Sequence, residues 1–174
     1  MNLLPRKKIM FRETVCFDDV LLLPQKSDIN SREEISLTTS LAKNKFDLPI
    51  ISSPMDTVTE SQMALTMFRR GGLGIVHRYN SKKEQCEIIR EIKSTLEEEN
   101  SPGVRNIAAA IGTSTAAIDR ATALVQSGAR ILCVDVAHGH HSLVERTIKD
   151  LKDSFGPKVT IIAGNVATAA GYED

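Results

Sequence analysis

An excess of charge of either sign is missing from this sequence. The 22 Lys and Arg side chains balance 22 Asp and Glu side chains, so the formal net charge of the 174 residues is zero. Binding to nucleic acid or to an acidic membrane through bulk electrostatics needs a positive excess, so we expect neither partner. A local site for a phosphate group is compatible with this balance.

Long hydrophobic runs are also missing. No apolar run approaches the roughly 20 residues that a membrane-spanning helix needs, so we expect no membrane segment. The first residues contain basic side chains and no long apolar segment, which predicts that there is no signal peptide. We expect residues 1–14 to form a loosely held N-terminal arm.

Cysteine is scarce and has no pairing pattern. Cys16, Cys86 and Cys133 are odd in number and show no C-x-x-C spacing. This usage is typical of reduced thiols, and we therefore expect a cytoplasmic protein. Cys133 lies inside an apolar run, which predicts a core side chain and not a reactive thiol.

A repeating pattern of strands and helices begins near residue 48. Short apolar runs that predict strands start near residues 49, 73, 107, 131 and 159, and helical patterns separate them. The runs are continuous and not alternating, which indicates parallel strands covered on both faces. Such a repeat fits either a (β/α)8 TIM barrel or a doubly wound sheet.

The predicted strands end in polar residues. Ser53, His77, Asp135 and Asn165 each stand at or just after the end of an apolar run. Ligand residues form a ring on one face of a barrel, whereas they concentrate at the switch point of an open sheet. The pattern therefore favours an α/β fold of the (β/α)8 type.

The predicted strands number about five, and a complete barrel has eight strands and typically ~250 residues. We therefore expect residues 15–174 to be the N-terminal half of a barrel, either as a fragment of a longer chain or as a chain that needs a partner.

Three Ser/Thr-x-x-Glu motifs predict capping boxes at helix starts. They begin at Thr57, Ser81 and Ser142. A cluster of three histidines, at positions 138, 140 and 141, has the side chains that zinc prefers. No cysteine or carboxylate lies at a suitable spacing to complete four ligands, so we predict no metal site in this chain.

Five stretches, in the same order, resemble motifs of the IMP dehydrogenase/GMP reductase family. They are CFDDVLLLP at 16–24, SSPMDTVTE at 52–60, GGLGIVH at 71–77, VDVAHGH at 134–140 and AGNVAT at 163–168. Each motif alone is weak evidence, whereas five in order are specific. The resemblance implies a (β/α)8-barrel enzyme that is usually a homotetramer.

Two activities occur in this family. Its dehydrogenases oxidise IMP to XMP with NAD, through a covalent intermediate on a cysteine, in guanine nucleotide biosynthesis. Its reductases convert GMP to IMP with NADPH. The forms at residues 53–56 and 71–77 resemble those of the dehydrogenases. We therefore expect an IMP dehydrogenase-type oxidoreductase, with GMP reductase or a non-catalytic nucleotide-binding half-barrel as alternatives.

Matching positions imply roles for individual residues. An aspartate carboxylate that accepts hydrogen bonds from a ribose is familiar from other dinucleotide sites. The residues implied to contact the purine nucleotide, IMP or GMP, are Ser53, Met55 and Asn165. The residues implied to contact NAD are Asp135, His77, Val136, Ala137 and Asn165.

Two departures from the family pattern limit these expectations. Most IMP dehydrogenases carry a pair of CBS regulatory modules after the helix that follows His77, and here a short linker near residues 97–105 takes their place. The cysteine loop of the family, Gly-x-Gly-Ser-x-Cys-Thr-Thr, is absent. We expect the nucleophile, the main phosphate loops and a K+ site to lie beyond Asp174, so that this chain alone is inactive.

Overall fold

The computed structural model of the protein describes residues 15–174. The chain forms two units, Met1–Ser36 and Leu37–Asp174. The described part of the first unit has two short 3-10 helices, Phe17–Asp19 and Arg32–Glu34, joined by a segment without helix or strand that has exposed leucines. The predicted arm, residues 1–14, lies outside the described residues.

The second unit is built on a five-stranded parallel sheet. An antiparallel pair, β1 (Thr39–Leu41) and β2 (Asn44–Phe46), comes before it. The strands of the sheet are β3 (Ile51–Ser52), β4 (Leu73–Val76), β5 (Ala108–Ile111), β6 (Ile131–Asp135) and β7 (Thr160–Gly164). The helices are α1 (Ser61–Arg69), α2 (Lys82–Glu98), α3 (Ala117–Ser127), α4 (Ser142–Phe155) and α5 (Ala169–Glu173).

The order of the strands in the sheet equals their order in the chain. Every strand from β3 to β7 pairs in parallel with the next one, and a helix lies in each connection between them. A doubly wound sheet would reverse its order at a switch point, and the described strands show no reversal. The prediction of a partial (β/α)8 barrel is thus confirmed.

The core lies between the sheet and the helices that cover it. β4 and β5 are buried along their whole length, which explains why their sequences are continuous apolar runs. Ile89, Ile92 and Leu124 project from α2 and α3 and are fully buried against the sheet. Burial of each such side chain contributes about 1.5–3 kcal/mol to folding.

Close contact between α1 and β4 depends on a glycine. A Cβ atom at Gly74 would lie 2.6 Å from Cα of Ala64, which is a backbone atom of α1. Because this atom belongs to the backbone, α1 itself would have to shift to make room for a Cβ atom. Gly74 therefore fixes how near α1 lies to the sheet, and with it the position of the loop between β3 and α1.

The three predicted capping boxes have different outcomes. At Ser81 the prediction is confirmed, since its hydroxyl accepts from the Glu84 N–H and the Glu84 carboxylate accepts from the Ser81 N–H. At Thr57 it is wrong, because α1 begins later, at Ser61. At Ser142 it is wrong by one residue: His141 is the N-cap, and its Nδ1 accepts from the Leu143 N–H.

Among the helices described between residues 15 and 174, none is both long enough and apolar enough to cross a membrane.

The contact between α1 and β4 gives a first prediction. Gly74→Ala is expected to lower the free energy of unfolding by about 1–3 kcal/mol, because the added methyl group overpacks the interface. Chemical denaturation measures the change. The control is Gly164→Ala, where a Cβ atom would meet nothing within 4 Å. Equal stabilities of the two variants would contradict the role of Gly74 in the contact between α1 and β4.

Candidate active site at the carboxyl ends of the strands

Parallel strands bring the predicted site residues to one edge of the sheet. Ser53 follows β3, His77 follows β4, Asp135 ends β6 and Asn165 follows β7. Asp135 lies opposite Gly164 in the register of β6 and β7, so Asp135 and Asn165 are close neighbours. Ser53 stands at the other outer strand of the described sheet.

The loop between β3 and α1 presents Ser53 and Met55. Ser53 is exposed, and half of the Met55 surface is accessible. The buried side chain of Thr59 stabilises this loop by hydrogen bonds. Its Oγ1 donates to the Ser53 carbonyl at 2.7 Å and lies 2.9 Å from Oγ of Ser52. The sequence pattern had assigned this stretch to a capping box, so the role of Thr59 was missed.

The ring of His77 is buried beneath the edge, with 2% of the residue exposed. Its Nδ1 accepts from the Tyr79 N–H at 3.1 Å, and its Nε2 lies 3.1 Å from Oε1 of Glu60. With Nδ1 as an acceptor, the neutral ring carries its proton on Nε2 and donates to Glu60. Both ring nitrogens are thus engaged within the chain, and His77 positions two exposed residues, Glu60 and Tyr79.

The carboxylate of Asp135 has no hydrogen-bond or ion-pair partner within residues 15–174. The residue is half-buried at the end of β6, and only its main-chain carbonyl is engaged, by Nη2 of Arg78 at 3.1 Å. An ionised carboxylate has several free acceptor positions. Asp135 is therefore able to accept hydrogen bonds from the hydroxyl groups of a ligand.

The loops after β6 and β7 are joined through their backbones. The Val136 N–H donates to the Gly164 carbonyl at 3.0 Å, and the Asn165 N–H donates to the Val136 carbonyl at 2.7 Å. The Gly139 N–H donates to the Asn165 carbonyl at 2.7 Å, and a Cβ atom at Gly139 would lie 2.8 Å from that oxygen. These hydrogen bonds therefore fix the loops after β6 and β7 to each other beside Asp135.

Three of the implied ligand residues belong to these joined loops. Val136 is half-buried, whereas Ala137 and Asn165 are exposed. The side-chain amide of Asn165 has no partner within the described residues. It is therefore available both to a substrate and to a cofactor.

A buried glutamine connects the ends of two further strands. Nε2 of Gln85, on α2, donates to the carbonyls of His77 and Ala110, each at 2.9 Å. These carbonyls lie at the ends of β4 and β5, and Gln85 is completely buried. Sequence periodicity gives no signal for such a contact, since a glutamine on a helix usually faces solvent.

The cysteines and histidines do not form a reactive centre in the described part of the chain. Cys133 is buried in β6, and its pKa is raised to about 11, mainly by burial and secondly by the charge of Asp135. Nε2 of His140 pairs with Asp174 at 2.9 Å. Residues 15–174 contain no group of three or more metal-ligating side chains.

The structure therefore defines an α/β protein of the barrel type, with polar strand ends and their loops gathered on one face. The family model described as "IMP dehydrogenase / GMP reductase domain" matches residues 14–174. The chain belongs to the IMP dehydrogenase/GMP reductase family.

Curated relatives carry both names of the family. The chain is 34% identical over 188 residues to an inosine-5'-monophosphate dehydrogenase of Cryptosporidium parvum, covering 87% of this chain and 46% of that protein. It is 32% identical over 200 residues to the enzyme of that name from Borreliella burgdorferi, covering 90% and 49%. A GMP reductase of Leishmania donovani is 28% identical over 289 residues, covering 93% and 59%.

The chain thus spans about half the length of the curated relatives that it matches. The region aligned with the Leishmania donovani protein is 289 residues long, and this chain has 174 residues. That relative therefore contains residues within the aligned region that this chain lacks.

The hydrogen bonds of Thr59 predict a stability effect. Thr59→Val is expected to lower the free energy of unfolding by about 1–3 kcal/mol, because it removes a buried donor from the Ser53 carbonyl. Thermal or urea unfolding measures it. Thr57→Val is the matched control: this hydroxyl is exposed and has no partner in the described chain, so a change within about 0.5 kcal/mol is expected. The assignment fails if both variants behave alike.

The pKa of Cys133 predicts its reactivity. With a pKa of about 11, only about one thiol in a thousand is ionised near pH 8, and the thiolate is the nucleophile. Iodoacetamide should therefore label exposed Cys16 in the native protein and spare Cys133. Peptide mass spectrometry measures the labelling, and denatured protein serves as the control in which all three cysteines react. Rapid native labelling of Cys133 would contradict its buried assignment.

Proposed function

We propose that the chain is half of the catalytic barrel of an IMP dehydrogenase, which oxidises IMP to XMP with NAD in guanine nucleotide biosynthesis. The observation that carries the proposal is the unpaired carboxylate of Asp135, beside Asn165, at the carboxyl edge of a barrel-type sheet. The dehydrogenase forms of the motifs at residues 53–56 and 71–77 support this activity over the reductase.

In this proposal the two outer loops of the described sheet contact the purine nucleotide. Ser53 and Met55 are exposed above Thr59, where an apolar thioether and a hydroxyl suit a purine ring and a ribose or phosphate group. Asn165 offers an amide with a donor and an acceptor to the base. These three residues orient the substrate, and none of them supplies a nucleophile.

The cofactor side is proposed to be formed by Asp135, Val136, Ala137, Asn165 and the neighbourhood of His77. NAD, when bound, supplies the hydride acceptor. The unpaired carboxylate of Asp135 fits a ribose diol, because it accepts from both hydroxyl groups. His77 contributes as a positioning residue, through Glu60 and Tyr79.

The remaining parts of the reaction are proposed to lie outside this chain. The cysteine nucleophile, the main phosphate loops and the ligands of a monovalent cation, K+, would come from the other half of the barrel. The high pKa of Cys133 supports this division, since that thiol is not activated. We infer that residues 1–174 alone do not complete the reaction.

Residues 97–105 are proposed to replace the regulatory modules. α2 ends at Glu98, and a 3-10 helix, Pro102–Asn106, leads almost directly into β5. We propose that the extra residues within the aligned region of the Leishmania donovani relative include an insertion at this connection. We also propose a cytoplasmic homo-oligomer, a tetramer by resemblance to the family.

Enzyme assays test the proposal on a polypeptide that contains both this chain and the cysteine loop, or on this chain reassembled with the other half of the barrel. We expect NADH and XMP to form from IMP and NAD, measured by absorbance and by chromatography. Oxidation of NADPH that depends on GMP would select the reductase alternative. Nucleotide binding without either reaction would select a non-catalytic role, and each of these two results would overturn the proposed activity.

Asp135 gives the sharpest mutational test. Asp135→Ala is expected to raise KM for NAD about 10- to 150-fold, the equivalent of about 1.5–3 kcal/mol for hydrogen bonds to a charged group. KM for IMP should change much less. Asp153→Ala, on the exposed surface of α4, is the control and should leave both constants unchanged. Equal losses for both ligands would indicate a folding defect and contradict a cofactor role.

A further inference from the structure

A cavity of about 330 Å³ lies at the amino ends of the strands. The residues that line it are Lys43, Asn44, Arg105, Arg130 and Lys158. Arg130 directly precedes β6, and β6 ends at the residue that carries the proposed ribose contact. Five residues of strand at about 3.3 Å each span roughly 16 Å. The cavity therefore lies at the opposite end of the strands from the candidate active site.

Four cations from four separate segments of the chain meet at this cavity. Lys43 comes from the turn between β1 and β2, and Arg105 comes from the 3-10 helix before β5. Arg130 and Lys158 stand in the connections that lead into β6 and β7. Because parallel strands bring their amino ends to one edge of the sheet, these connections come together although they are distant in the sequence.

Hydrogen bonds fix the hairpin of β1 and β2 against the start of β7. Nζ of Lys43 donates to the main-chain carbonyl of Pro157, and Nδ2 of Asn44 donates to Oγ1 of Thr160 at 2.9 Å. Both bonds join residues that are more than a hundred positions apart. The walls of the cavity are thus held together by the chain itself, without a ligand.

No carboxylate of the described residues lines the cavity. None of its four cations forms an ion pair with a residue between 15 and 174. Elsewhere in this part of the chain cations do pair, as Arg69 does with Glu99 and Lys82 with Asp119. Like charges around one cavity repel each other, so an anion bound among them would remove an unfavourable interaction.

The ends of helices explain only two of these four cations. A cation near the carboxyl end of a helix interacts favourably with the partial negative charge there. Arg130 donates to the Val125 carbonyl in the last turn of α3 at 3.3 Å, and Lys158 follows α4. Lys43 belongs to a β-hairpin, and Arg105 lies beyond the last turn of α2. These two charges need another explanation.

We infer that this cavity binds a short chain of phosphoryl groups, held by the guanidinium groups of Arg105 and Arg130 and the ammonium groups of Lys43 and Lys158. Both kinds of cation form charge-assisted hydrogen bonds with phosphoryl oxygens. The cluster is local and the net charge of the chain is zero, which suits a small multivalent anion and not a long nucleic acid. The inference does not depend on the reaction proposed above.

Arg105 and Lys158 are the best positions for substitution. Both are exposed, and neither side chain has a hydrogen-bond or ion-pair partner within the described residues. Arg105→Met and Lys158→Met therefore each remove a charge without removing a contact of the fold. Without ligand, each variant should unfold at the same temperature as the parent protein or at a higher one, because repulsion within the cluster is reduced.

The experiment is calorimetric titration of the intact protein with tripolyphosphate and, separately, with ATP, both without magnesium. Arg105→Met and Lys158→Met are each expected to weaken binding about three- to tenfold, by loss of a charge-assisted hydrogen bond at an exposed position. Arg105→Lys should retain most of the affinity. Arg90→Met removes the same charge from an exposed position on α2 and should change nothing. Affinity should fall with rising salt.

The two sources of the phosphoryl chain are separable. Tripolyphosphate binding that Arg105→Met and Lys158→Met weaken, and that Arg90→Met leaves unchanged, supports the inference. ATP binding with the same dependence on these variants identifies a nucleotide as a source, and its absence identifies free polyphosphate.

Three results would overturn the inference. One is absence of tripolyphosphate binding, or equal affinities for the parent protein and all variants. Another is displacement of tripolyphosphate by excess IMP or NAD, which would place it at the other end of the strands. The third is a lower unfolding temperature of Lys158→Met with unchanged binding, which would assign this cation to the end of α4 alone.

Discussion

Parallel pairing of successive strands decides where every side chain of the candidate site lies. Because each strand runs in the same direction as its neighbour, the five carboxyl ends meet at one edge of the sheet. The polar residues that end the apolar runs are far apart in the sequence, yet the pairing of Asp135 with Gly164 brings the loops after β6 and β7 together. The chemistry of the site follows from the topology before any individual loop is considered.

The loops at this edge are held by small, specific contacts and not by hydrophobic burial. Thr59 fixes the loop that carries Ser53 and Met55, while Gly139 allows the loop after β6 to lie against Asn165. Both contacts satisfy backbone groups that would otherwise be costly near the core. The rigid edge lets exposed side chains keep their positions without a ligand.

Much of the architecture could be predicted from the sequence, because buried parallel strands leave continuous apolar runs. The strand starts expected near residues 73, 107, 131 and 159 lie within one residue of the observed ones, and Ser81 shows that a capping motif can locate a helix start. The same motif failed at Thr57 and Ser142, since a local pattern carries no information about the turn that precedes a helix.

The candidate site was predictable only where a motif ends a strand. The positions of Asp135 and Asn165 follow from the topology, whereas the burial of His77 and its bonds to Glu60 and Tyr79 do not. The hydrogen bond from Nη1 of Arg120, on α3, to the main-chain carbonyl of Arg78 was not foreseen either, because these residues are 42 positions apart. Contacts of this kind leave no periodic trace in a sequence.

The side-chain amide of Gln85 limits which segments of this barrel could be replaced by the corresponding segments of a relative. One side chain on α2 serves the carbonyl oxygens at the ends of both β4 and β5, so these two strands share an anchor that belongs to neither. A chimaera whose crossover falls between α2 and β5 would combine an anchor from one parent with an oxygen from the other. The smallest exchangeable piece on this side of the barrel is therefore β4, α2 and β5 together, which is larger than a single strand–helix repeat.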